Sequence, residues 1–67
     1  MAQIKVDDFV GSSNESWSDA ARNAVSQMAN MAESIQGVDV LSQSAAVENN
    51  EVTEFRTTVR IAYTPSS

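Results

Sequence analysis

The sequence predicts an α+β fold: a three-stranded antiparallel sheet wrapped on one helix, in the order β-α-β-β. Three observations predict it. From Ser16 to Ile35 the apolar residues Trp17, Ala20, Ala21, Ala24, Val25, Met28, Met31, Ala32 and Ile35 recur at three- and four-residue steps, the spacing of a single helical stripe. From Val52 to Thr64 the chain alternates strictly. Phe55, Thr57, Val59, Ile61 and Tyr63 fall on one face, and Glu54, Arg56, Thr58, Arg60 and Ala62 on the other. Between these segments, Asp39–Val47 reads as a further strand, closed by a Glu48-Asn49-Asn50-Glu51 turn whose asparagines tolerate positive φ.

Each element follows in order. Ala2–Val10 reads as the first strand, with Ile4, Val6 and Val10 on one face and Lys5, Asp7 and Phe9 on the other. Gly11-Ser12-Ser13-Asn14 is a turn cluster. Ser16 followed by Asp19 forms a capping-box-like signal, with Ser13 and Asn14 as rival caps, so the helix begins near Trp17. The helical phase assigns Trp17, Met28 and Met31 to the core. Gly37 ends the helix, as a C-terminal cap or as a residue entering the second strand. Alternating residues of the last strand pack on the helix stripe, and Pro65, Ser66 and Ser67 form a tail expected to fray.

Residues 1–67 make one domain, too small to bury much of its own surface. Small scaffolds add disulfides, metals or oligomerisation. The chain has no cysteine and no histidine, which removes disulfides, thiolate metal sites and the usual general base. Oligomerisation is left. One helix covers one face of a sheet, so the other face must meet water or another copy. The closing strand is long for so small a domain, and an unpaired edge of that length is a hazard that a partner chain removes.

Composition also excludes functions. The net charge is −5, and Lys5, Arg22, Arg56 and Arg60 form no run, so a nucleic-acid partner is not expected. No apolar run spans a membrane and no signal-peptide core is present, which makes the cytoplasm the expected location. No catalytic residues can be assigned: a Ser-His-Asp nucleophile is impossible without histidine, and no carboxylate spacing supports acid–base work. Asp7 and Asp8 point to opposite faces of one strand and cannot chelate one ion within a subunit. Copies of one carboxylate gathered on a symmetry axis, or copies of Glu15, could form an oxygen cage for Ca²⁺ or Mg²⁺. A specific metal ligand remains unknown.

Lys5-Val6, Val10-Gly11-Ser12-Ser13, Ser16-Trp17, Asp19-Ala20, Gly37-Val38 with Val40 and Gln43, and the closing Phe55–Tyr63 strand together resemble the dodecin family over nearly the whole chain. The resemblance implies a hollow homododecamer with helices outside and sheets facing inward. It also implies a non-enzymatic role in binding, storing or buffering a small ligand. Flavins (riboflavin or FMN) are the family's best-known ligands, and coenzyme A or calcium is associated with some members. Flavin-binding members stack the ring on a tryptophan at the position of Gly37 and hydrogen-bond its edge with a glutamine at the position of Arg56. An acidic residue often precedes the strand-two glutamine; here Ser42 precedes Gln43. The expected ligand-binding residues are therefore Gly37, Gln43 and Arg56, with flavin binding weakened. Glycine offers no aromatic face, and arginine only donates where glutamine both donates and accepts. Arginine can still stack or pair with a phosphate. The alternative is an ion-binding or structural cage with no organic ligand.

Overall fold

In a computed structural model, which describes residues 3–65, four elements follow in the predicted order: β1 (Lys5–Ser13), α1 (Trp17–Ala29), β2 (Ala32–Glu48) and β3 (Glu51–Pro65). The sheet order is β1-β3-β2, with both pairings antiparallel. The long β3 is therefore the central strand. It is paired on both sides, and the sheet's edges are β1 and the 17-residue β2, the longer of the two.

Two predicted boundaries move. The helix ends at Ala29, capped by Asn30, and not at Ile35. Met31 N–H bonds the Met28 carbonyl, closing the last turn tightly, and the chain then enters β2 seven residues before the predicted Asp39. The cause is tertiary. β3 runs to Pro65 and offers partners to Ala32, Ser34 and Ile35, through Pro65, Thr64 and Tyr63. Register shifts at Ala32/Ser34, Ile35/Gly37 and Val40/Ser42 break the two-residue alternation, so this stretch of strand mimics a helical period. Gly37 lies within β2 beside one of these shifts and does not cap the helix. Met31 is 59% exposed and leaves the core.

β1 also shifts. It continues through Gly11, Ser12 and Ser13, where the sequence predicts a turn, while the predicted start at Ala2 lies outside the described residues. Gly11 lies under the helix. A Cβ there would sit 1.9 Å from the Ala20 carbonyl oxygen and 2.9 Å from the Ala24 Cβ, so the close approach of α1 to β1 requires glycine. The hairpin turn is as expected: Asn49 (φ 52°) and Asn50 (φ 65°) both take the left-handed conformation of a two-residue hairpin loop. Pro65 pairs with Ala32, and Ser66 and Ser67 lie outside the described residues.

The core joins Ala20, Ala24 and Met28 of α1 to Val59, Ile61 and Tyr63 of β3, with Phe9, Val25 and Ile35 packed around it. The face of β3 predicted to meet the helix does so. Thr57 is fully buried, and its hydroxyl donates to the Trp17 carbonyl at 2.9 Å. Trp17 itself is 39% exposed and is not core. Its ring meets Phe55 edge-on at 4.9 Å, and its Nε1–H donates to the Ser44 carbonyl, tying the helix start to β2. Ser16 is the N-cap, accepting from Asp19 N–H at 3.0 Å. The Asp19 carboxylate accepts from Ser13 Oγ at 2.7 Å, which links β1 to the helix start.

Candidate functional site on the open sheet face

α1 packs chiefly on β1 and β3 and least on β2. Two surfaces stay open: the whole sheet face away from the helix, and the β2 margin of the helix side, where Val38 and Val40 are 40% and 53% exposed. The register defines the rows of the open face, because directly opposed residues share a side. Val6, Ala62 and Gly37 form one row; Asp8, Arg60 and Asp39 the next; Val10, Thr58 and Ser42 the third; Ser12, Arg56 and Ser44 the fourth. The face therefore has an apolar margin and a polar, hydroxyl-rich centre with two guanidinium groups.

The two arginines differ. Arg60 donates Nε and Nη2 to the Asp8 carboxylate at 2.9 and 3.2 Å, with Asp39 facing it from β2. These hydrogen bonds hold the Asp8 carboxyl below the usual carboxylate range. The same bonds, with Asp8's charge and then Asp39's, make Arg60 still harder to deprotonate. Arg56 donates only Nε, to Glu54 at 2.6 Å. On the helix side Tyr63 donates its hydroxyl to Asp7, and this bond, followed by burial, pushes the phenol up. Asp7 and Asp8 thus serve opposite faces, as alternation predicts.

The predicted ligand residues do not converge within one chain. Gly37 is in the row of Ala62, six β3 positions from Arg56, about 20 Å along the strand. Gln43 is opposite the buried Thr57, on the side facing away from Arg56. A ligand touching all three needs more than one copy. A concavity lies elsewhere among the described residues. About 480 Å³ of polar hollow lies where β1 ends, bounded by Ser12, Asn14, Glu15, Asp19, Asn23 and Glu54. No group of three or more metal-ligating side chains is placed to hold an ion among the described residues. No helix there is long and apolar enough to cross a membrane. Sequence reasoning missed Gly11 and the Asp8–Arg60–Asp39 row. Gly11 was hidden among turn-forming residues. The row needed the register, which places β3 between β1 and β2.

One helix packed on a three-stranded antiparallel β-α-β-β sheet, with the second face left open, defines a class of small α+β proteins. The dodecin family model matches residues 4–65, and the chain belongs to that family, a group of small ligand-binding proteins. The solved dodecin of Streptomyces coelicolor superposes with a TM-score of 0.89 at 18% identity, covering 98% of this chain and 94% of that one. The dodecin of Streptomyces davaonensis gives 0.89 at 17%, covering 98% and 97%. A calcium-chelating antigen of Mycobacterium tuberculosis, described as a calcium dodecin, gives 0.85 at 26%, covering 97% and 93%. No match was found among curated proteins.

Proposed function

We propose that the chain is a non-enzymatic ligand-binding cage, a homododecamer that sequesters a small molecule against its inner sheet faces. The observation that carries this reading is the open face itself. A compact monomer of 7.2 kDa exposes about 4,100 Å², whereas this chain exposes 4685 Å². Its radius of gyration is 13.5 Å, against about 11 Å for a compact chain of this length. The excess surface includes Val6, Val10, Val40, Leu41 and Val47, all more than 40% exposed. Packing copies through the open face and the β2 margin buries these side chains and covers the β2 edge.

In this reading the ligand contacts Gly37, Gln43 and Arg56 of different copies. The residues do not fit a flavin stacked in the manner of the tryptophan-bearing members. Beyond Gly37 and its two chain neighbours, no atom of the described residues lies within 4 Å of where a Gly37 Cβ would sit, and Arg56 already gives Nε to Glu54. Riboflavin, FMN and coenzyme A are therefore ligands to test. The cytoplasm is the location proposed with this reading. Native mass spectrometry of gently purified protein tests it: a twelve-subunit mass carrying an organic adduct supports the cage and names its cargo, and a monomer overturns it.

The 26% identity to a calcium dodecin favours a second reading, an ion-binding cage. Among the described residues of one chain no three metal-ligating side chains come together, so in this reading Ca²⁺ or Mg²⁺ is held by carboxylates of several copies, with Asp8, Asp39 or Glu15 as donors. Dissociation of the assembly by a chelator, reversed by calcium, supports this reading, and indifference to the chelator overturns it.

A further inference from the structure

We infer that Arg56, flanked by Ser12 and Ser44, is a seat for the phosphate group of a phosphorylated ligand. The inference rests on the open sheet face being the ligand-bearing one. Arg56 and Arg60 are the two cations in the rows of this face. Arg60 is charge-compensated, with two nitrogens on Asp8 and a second carboxylate, Asp39, opposite. Arg56 is half exposed and has Nε alone engaged, by Glu54. That bond fixes the plane of the guanidinium and leaves the Nη1–Nη2 edge without a protein partner among the described residues.

This edge is the fork that binds oxyanions through two parallel N–H···O bonds. The strands on either side each bring a hydroxyl into the same row, Ser12 from β1 and Ser44 from β2. Neighbouring strands lie about 4.8 Å apart, so each hydroxyl lies one strand from Arg56 and the two lie about 9.6 Å from each other across β3; one of them at a time can join an anion held on the fork. Both hydroxyls can donate, and neither side chain donates or accepts a bond within the described structure. A flat carboxylate is satisfied by the fork alone. A phosphate monoester has a third oxygen, which one of the flanking serines can meet. Thr58 and Ser42, in the adjoining row, extend the hydroxyl surface towards the rest of the ligand.

FMN and riboflavin differ only in the phosphate monoester, and titrating the assembled protein with each tests the seat. FMN should bind at least about tenfold more tightly than riboflavin, a difference of roughly 1.4 kcal/mol. Arg56→Gln should collapse that ratio to near one, and the double variant Ser12→Ala, Ser44→Ala should lower it several-fold. Arg56→Lys keeps the charge without the fork, and should also lower the ratio if the Gln variant does not assemble. Equal affinities in the unaltered protein, no FMN binding at millimolar concentration, or a ratio that survives replacement of Arg56 each overturn the seat. Subunit mass measured on the same sample separates the two readings. Twelve subunits with equal affinities remove the seat and leave the cage. A monomer removes the cage, and its FMN-to-riboflavin ratio still reads the seat.

Discussion

At the residue scale the two glycines have opposite roles. Gly11 holds α1 against β1, and the atom a methyl group would strike is a backbone carbonyl at 1.9 Å, which cannot swing aside. Gly11→Ala should destabilise the fold by about 3 kcal/mol, the upper end for overpacking, and lower the thermal midpoint accordingly. Gly37 has open space where its side chain would be. Gly37→Trp should therefore fold normally and raise flavin affinity by about tenfold through ring stacking, read as quenched flavin fluorescence. An unchanged affinity in a well-folded variant would mean that Arg56 or the pocket shape also blocks the ring. Tyr63 is the single tyrosine, so its titration can be read directly from tyrosinate absorbance. Its phenol is pushed up by the bond to Asp7. The stability this contributes is complete below the unfolded value near 10 and is lost as pH rises through the higher folded value. Tyr63→Phe should remove that part of the alkaline loss of stability. A tyrosinate signal rising at the free-tyrosine pH would contradict the bond.

At the element scale the helix start is the best-defined boundary. Ser16 caps α1 and Asp19 joins the cap to Ser13 of β1, so Ser16→Ala should cost about 1 kcal/mol in a melting measurement. This boundary was legible because capping is local chemistry: Ser16, Asp19 and the apolar run follow one another in the chain. The hairpin was legible for the same reason, with two asparagines at the two positions that need positive φ. The end of the helix was not. Ala32 and Ile35 satisfy a helical period, and only the length of β3, reaching Tyr63, Thr64 and Pro65, decides that they pair as a strand. Trp17 shows a related limit. Its phase marks it as core, but it lies in the first turn, where the helix begins to cross the β2 margin, and its indole needs the Ser44 carbonyl. Of the candidate site, the two faces of β3 were legible from alternation alone. The pairing of Arg60 with Asp8 and the open edge of Arg56 were not, because they depend on which strands lie beside β3.

At the scale of the whole molecule, the sheet has one buried face and one waiting for a partner. Its three axes measure 52 × 19 × 13 Å, a slab too thin to enclose a core on both sides. In the proposed cage the stability of such a chain is shared among the copies, and obligate oligomers melt at temperatures that rise with protein concentration. The thermal midpoint should therefore climb over a hundredfold increase in concentration, and subunit mass should track it. Val10→Asp separates this from ordinary core stability. Val10 is 59% exposed in the single chain, in the row of Thr58 and Ser42, so a carboxylate there disturbs no contact within the subunit. Within an assembly that covers this face, the same carboxylate is buried without a partner and costs several kcal/mol. The expected outcome is loss of the large particle and a lower, concentration-independent midpoint. A variant that keeps both its mass and its midpoint would mean that this face meets water and that the copies join elsewhere, at the β2 edge.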